Sequence, residues 1–312
     1  MEKIAYSVVV PVFNEEKNLS HLYERLTGTM KGNIGEYEII FVDDNSRDSS
    51  LEILKDIRRN DPRVKIIKFS RNFGHQAAIT AGLDNAAGDA VIMMDADLQD
   101  PPEVITKLIE KYKEGYEVVY AQREERRGET YFKRLTASLF YRIMACLTDI
   151  KIPLDSGDFR LIDRKVLDSL KGMQEKSRFL RGLIAWVGYK QIGVKYKRDA
   201  RYAGKTKFTL KKMLKFAIDA VSSFSHIPLR IATLSGFVVS FISCLVLLWV
   251  VFYRVSGGPT PGCASLMGCV LFLGGVQLIA IGIIGEYLGR IFDQTKNRPV
   301  FVVKETSIQE GR

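Results

Sequence analysis

Four short apolar runs, each closing on a polar cluster, limit the fold of this chain more than any other feature. Ala5 to Val12 is a β-branched run that passes through Pro11 into Asn14-Glu15-Glu16. Tyr37 to Val42 runs into Asp43-Asp44-Asn45-Ser46, and Val64 to Phe69 precedes the turn Asn72-Phe73-Gly74-His75. Val91 to Met94 leads into Asp95-Ala96-Asp97-Leu98-Gln99, where Pro101-Pro102 ends the extended backbone and opens a helix. Helical spacing follows the first three runs, over Asn18 to Leu26, Ser49 to Arg58 and Gln76 to Asn85. Strands alternating with helices in this way predict a mostly parallel sheet covered on both faces. Ligands of such sheets bind beyond the carboxyl ends of the strands, so the polar clusters should converge on one rim.

Asp95 and Asp97 stand two residues apart, and on extended backbone both would point to one side. A shared hard cation, Mg²⁺ or Mn²⁺, would relieve their repulsion, taking further oxygens from substrate phosphates. Gln99 could add a neutral oxygen. The competing reading is an acidic turn whose Asp residues cap the following helix. No GxGxxG follows the first strand and no GxxxxGK[ST] occurs, so both common glycine-rich phosphate cradles are missing. A nucleotide held here would have its phosphate charge met by a metal and by basic side chains such as Arg123, Arg160 and Arg201.

The chain has 312 residues, room for one large or two smaller domains, and carries 46 Lys plus Arg against 36 Asp plus Glu for a net charge of +10. Its four cysteines form no CxxC pair, which argues against a zinc site or a disulfide framework. Met1-Glu2-Lys3 leads straight into a strand pattern, so no signal peptide is expected. Ile231 to Tyr253 and Cys263 to Gly285 hold no charge, and each is long enough for the roughly 20 residues of a membrane-crossing helix. Before them, Lys190 to Lys215 sets a dense basic run against the single acid Asp199. Next to a span, a basic amphipathic helix reads as lying on a membrane surface, and a nucleic-acid partner is not expected. Basic residues also follow the second span (Arg290, Lys296, Arg298, Lys304), which places both termini in the cytoplasm. Ser235-Gly236 and Gly274-Gly275 would permit close helix contacts and a homo-oligomer. The expected plan is a cytosolic domain over 1–207, an amphipathic juxtamembrane segment over 208–228, a two-helix transmembrane hairpin over 229–290 and a cytosolic tail over 291–312.

Ser7-Val-Val-Val-Pro-Val-Phe-Asn-Glu-Glu16, Val42-Asp-Asp-Asn-Ser46, Ser70-Arg-Asn-Phe-Gly-His-Gln-Ala77 and Met94-Asp-Ala-Asp-Leu-Gln-Asp-Pro-Pro102 together resemble family 2 glycosyltransferases of the GT-A fold. The resemblance is to the polyisoprenyl-phosphate branch and covers nearly the whole chain. It implies that Pro11, Asn14, Glu15 and Asp44 line the base and ribose pocket. Asp95, Ala96, Asp97 and Gln99 would hold the metal and the diphosphate. Asp158, in Asp155-Ser-Gly-Asp-Phe-Arg160, occupies the position usually assigned to the catalytic base, with Arg160 beside it. Arg201 and Lys207 resemble the loop that closes over donor phosphates. Arg123, Lys133 and Arg134 would receive the lipid phosphate, although any one of them could belong to a solvated charged face.

The implied activity is inverting transfer of a hexose, glucose from UDP-glucose, onto undecaprenyl or another polyprenyl phosphate at the inner membrane. GDP-mannose or a UDP-aminoarabinose donor, or a non-catalytic nucleotide-sugar-binding scaffold, are the alternatives. A phosphate monoester is already mostly dianionic at pH 7, since its second pKa is about 6. The acceptor therefore needs little proton removal, and Asp158 is expected to position charge rather than act as a base.

Overall fold

The computed structural model describes residues 3–31, 35–124, 156–173, 175–176, 178–198, 225, 227–256 and 263–308. The chain divides into two compact units, one of residues 1–146, 150–216 and 298–312 and the other of 147–149 and 217–297. In the first, β1 (Tyr6–Val12), β2 (Tyr37–Asp43), β3 (Val64–Phe69), β4 (Ala90–Met93) and β5 (Val118–Arg123) alternate with α1 (Glu16–Met30), α2 (Ser50–Asn60), α3 (His75–Asn85) and α4 (Val104–Lys113). After β6 (Ser156–Asp163) come α5 (Arg164–Lys171), α6 (Leu180–Trp186) and β7 (Gln191–Tyr196). The second unit holds α7 (Ile227–Val255) and α8 (Cys263–Thr295), after which β8 (Val303–Thr306) returns to the first.

The eight strands form one sheet in the order β7-β5-β6-β4-β1-β2-β3-β8. Parallel pairs join β1 to β2 and β4, β2 to β3, and β5 to β7. β6 runs antiparallel between β4 and β5, and β8 runs antiparallel along β3. A period of two sorts the central side chains. Val8, Val10 and Val12 of β1 join Ile39 and Phe41 in a core with Leu19, Leu22 and Leu26 of α1 and Ile105 and Leu108 of α4. Val9 faces the other side, where α3 approaches so closely that a Cβ on Gly82 would overlap the Val9 side chain. Burial on both faces accounts for the unbroken apolar runs.

Three elements differ from the expectation. β6 and its antiparallel direction were not foreseen. Lys190 to Tyr196, taken as the start of a basic surface run, is mostly β7, because Ile192, Val194 and Tyr196 alternate inward against β5. Residues 298–308, read as part of a tail, close the β3 edge of the sheet. The amphipathic juxtamembrane segment lies almost wholly outside the described residues.

In the second unit, Ile227–Tyr253 and Phe272–Thr295 are long and apolar enough to cross a membrane. At 1.5 Å per residue each reaches at least about 35 Å, more than a hydrocarbon core of about 30 Å. None of their described side chains is buried, and Phe237 is 71 % and Phe252 72 % exposed, where a soluble helix would bury a stripe.

The amino ends of the strands are locked by a buried polar network. Ser7 Oγ donates to Glu38 Oε1 (2.6 Å), which also accepts from the Ala87 N–H (2.7 Å), and Lys65 pairs with the same carboxylate. The Gly88 N–H donates to Ser7 Oγ (2.8 Å), and a Cβ on Gly88 would stand 2.6 Å from the Ser7 backbone nitrogen. Backbone cannot swing aside as a side-chain tip can, so Gly88→Ala should lower stability by about 1–3 kcal/mol. Chemical unfolding would register this as a lower midpoint, and an unchanged midpoint would contradict the close approach.

Candidate active site

At the carboxyl ends of the strands the loops are tied to one another. Asn14, at φ 53°, donates its N–H to Ser46 Oγ (3.0 Å) and accepts from the Arg47 N–H at Oδ1 (2.8 Å). The Glu15 N–H donates to Ser50 Oγ (3.0 Å). Pro11 is buried within β1, opposite Val42. Asp44 then reaches the next loop, accepting the Phe73 N–H (2.6 Å) and the Gly74 N–H (2.9 Å) on its two oxygens. That clamp aims His75, the first residue of α3, at the centre of the rim.

β6 brings the two acidic motifs face to face. Met93 pairs with Arg160, and continuing this antiparallel register by two residues sets Asp158 opposite Asp95. Between them stands the His75 imidazole, its Nε2 3.5 Å from Asp95 Oδ1 and 3.2 Å from Asp158 Oδ2. From α6, Arg181 grips Asp158 with both arms, Nε to Oδ1 at 2.7 Å and Nη2 to Oδ2 at 3.1 Å. The sequence analysis did not single out Arg181. It sits 23 residues from its partner with no local pattern to mark it.

Electrostatics follow from this geometry. Burial pushes the Asp95 carboxyl up to about 6, although the His75 charge opposes the shift. Burial also acts against a charged His75, but Asp95 and then Asp158 outweigh it and raise the imidazole to about 9, so it carries a proton at pH 7. For Asp158, burial would raise the carboxyl, yet Arg181 and His75 hold it well below the usual carboxylate range.

Asp95 Oδ1 is buried and accepts no hydrogen bond among the described residues, while Asp97 Oδ1 accepts the Gln99 N–H (3.2 Å). A desolvated carboxylate oxygen in an acidic loop fits a divalent cation. Among the described residues no three His, Cys, Asp or Glu side chains gather into a ready metal cage. A cation on these oxygens would have to draw its remaining ligands from substrate phosphate and water. Ala96 is buried at 4 % and packs in the core beneath the loop.

The arginines separate. Arg123, at the end of β5, lies against β6, its Nη2 3.3 Å from where a Cβ on Gly157 would stand. Arg160, expected beside Asp158 to meet phosphate charge, is not open to solvent. It is 3 % exposed and donates from Nη2 to the Gly157 carbonyl (2.7 Å), behind the rim. Asp100, also buried, accepts from the Tyr196 hydroxyl and lies 3.3 Å from Arg198 Nε, tying the metal-type loop to the end of β7. Lys133, Arg134, Arg201 and Lys207 lie outside the described residues.

Removing Arg181 leaves a carboxylate that is 8 % exposed without its bidentate partner. Arg181→Met should therefore cost about 2–3 kcal/mol near neutral pH, and Arg181→Lys less, since it restores the charge without the fork. A depressed pKa contributes stability above the unfolded value of about 3.9 and loses it as pH falls through the folded value. The deficit of Arg181→Met should accordingly shrink in acid. Urea unfolding at neutral and acid pH measures both effects, and a deficit independent of pH would contradict the ion pair.

Residues 7–171 match the model of the family described as Glycosyl transferase family 2. The chain is 52 % identical over 304 residues to the glycosyltransferase YkcC of Bacillus subtilis, covering 97 % of this chain and 94 % of that protein. It is 42 % identical over 299 residues to the bactoprenol glucosyl transferase of Shigella phage SfV, covering 96 % and 97 %. Among solved structures, glucosyl-3-phosphoglycerate synthase from Mycobacterium tuberculosis, in complex with Mn²⁺, UDP and glucosyl-3-phosphoglycerate, aligns with a TM-score of 0.46 at 17 % identity over 70 % of this chain and 78 % of that one. A likeness that distant carries no weight for the site, whereas the family match and the near full-length relatives do for the family. The chain belongs to glycosyl transferase family 2.

Proposed function

We propose that the protein transfers a hexose, glucose from UDP-glucose, onto a polyprenyl phosphate at the cytosolic face of the inner membrane. The observation that carries this reading is the pairing, in one chain, of the charged cluster Asp95–His75–Asp158–Arg181 with two helices suited to lipid. One substrate is then soluble and the other is anchored in the bilayer. The bactoprenol glucosyl transferases of Shigella phages, similar over nearly their whole length, favour glucose and a polyprenyl acceptor. Both ends of the pair of apolar helices are read as cytosolic, an assignment that the basic flanks Arg290, Lys296, Arg298 and Lys304 support.

Asp95 and Asp97, with Gln99, would hold Mg²⁺ or Mn²⁺, which when bound offsets the charge of the donor diphosphate. Asn14, Glu15 and Asp44 shape the base and ribose end, on loops that hold each other in place. Protonated His75 and Arg181 present positive charge beside the carboxylates, where an incoming phosphate dianion needs it. Asp158 fixes both cations. A carboxylate held so far down is a weak base, and a phosphate dianion does not require one. Its contribution is electrostatic preorganisation.

Membranes containing the protein, incubated with radiolabelled UDP-glucose and undecaprenyl phosphate, should yield a lipid-soluble label that EDTA suppresses. Labelled lipid from GDP-mannose or a UDP-aminoarabinose alone would reassign the donor. No transfer from any nucleotide sugar would favour the scaffold reading, and full activity in EDTA would remove the metal. Asp158→Asn should lower kcat about 100-fold. Above the acceptor's second pKa of about 6 the defect should not shrink as pH rises, and it should widen where the variant loses the His75 proton that Asp158 helps to hold. Recovery at high pH would instead restore the general-base role.

A further inference from the structure

β8 is a strand that builds almost no core. All four of its residues are exposed, yet the segment around it is tied down at many points. Ser70 N–H donates to the Val302 carbonyl (3.0 Å) and Ser307 N–H to the Ile66 carbonyl (2.9 Å). Ser307 Oγ accepts the Ile66 N–H (2.7 Å), Arg58 Nη2 donates to the Ser307 carbonyl (3.1 Å), and Lys55 and Lys68 flank Glu305 at 3.4 and 3.7 Å. The large ring that this segment lays against the sheet is Phe301, half-buried two residues before the strand. Its ring stacks on Phe69 with centroids 5.1 Å apart and planes 14° from parallel.

From Phe301 the contacts run to the rim. Phe69 meets Phe73 edge to face at 5.6 Å, and the Arg71 guanidinium covers the other ring at 4.0 Å from its centroid. Phe73 is the residue whose N–H, with that of Gly74, is held by Asp44, and His75 follows directly. We propose that Phe301 is a positioning residue for the donor pocket. By this account the segment beyond the second apolar helix sets the loop Asn72–His75, and with it the seat of the nucleotide, through the stack Phe301–Phe69–Phe73. The inference deepens the proposed function, because it rests on Asp44 lying at the base and ribose end.

The three-ring arrangement suits such a role. Offset and edge-to-face aromatic pairs constrain ring orientation as well as burying area. Phe69 is fully buried at the end of β3 and therefore has little freedom to absorb a change on either side.

The test uses the full-length protein in detergent or membranes, comparing wild type with Phe301→Ala, Phe301→Tyr and, as a control on the exposed strand, Lys304→Ala. Hydrogen exchange over residues 70–76 should quicken in Phe301→Ala with β1 and β4 unchanged, and Phe301→Tyr should restore protection. Calorimetric affinity for UDP with Mn²⁺, and the donor KM, should weaken roughly threefold to tenfold in Phe301→Ala, the effect of losing one aromatic pair. The expected kcat and acceptor KM stay unchanged, and Lys304→Ala behaves as wild type. Unchanged loop exchange, or a looser loop with undiminished UDP affinity, would overturn the proposal. So would a loss of kcat and thermal midpoint that Tyr does not rescue. If wild type itself bound no nucleoside diphosphate, the donor-pocket reading would fail, and the positioning role with it. Loop exchange would then still show whether the ring stack is coupled.

Discussion

Two carboxylates that ought to repel are held across from each other, and the rim is built to tolerate them. The β4–β6 register sets Asp95 against Asp158, and neither can retreat because both strands are buried in the middle of the sheet. The protein answers with two cations of different kinds. Arg181, permanently charged, forks onto Asp158, and His75 spans the gap between the pair. The asymmetry is consequential. Asp158 is compensated by both cations and held ionised, while Asp95 keeps a buried oxygen that accepts no hydrogen bond among the described residues and is pushed toward the neutral form. One carboxylate is committed to organising the site, and the other is left in want of a stronger positive partner.

Much of this was legible before any coordinates. The strands β1 to β4 and the helices that follow them announce themselves because parallel strands buried on both faces are continuous apolar runs, and polar residues after each run must share a rim. The acidic loop, Asn14, Glu15 and Asp44 were found by that logic. What stayed hidden depends on contacts between distant segments. The direction of β6 is not written in Ser156–Asp163, yet it is what sets Asp158 across from Asp95. Arg181 carries no local mark. β7 did leave a period-two signal in Ile192, Val194 and Tyr196, which the density of Lys and Arg around it obscured. His75 was quoted within a motif but assigned no role, because its two partners are 20 and 83 positions away.

Fold and function also divide along the strands. Their amino ends carry the Ser7–Glu38–Lys65–Gly88 network, closed and self-satisfied, which can only stabilise. Their carboxyl ends carry charge that is only partly balanced. Site chemistry and architectural strength thus occupy opposite edges of one sheet, so the reactive end can hold frustrated groups without loosening the frame.

The return of the chain to β3 after the apolar helices has a practical consequence for anyone seeking a water-soluble catalytic fragment. Cutting the gene ahead of the first hydrophobic helix, the obvious engineering choice, would discard β8 and Phe301 together and leave β3 as a bare edge. Such an edge invites pairing with other copies. A fragment of that design would carry every acidic motif and still be prone to precipitation. Excising the hairpin while splicing its two flanks keeps the eighth strand in the same polypeptide.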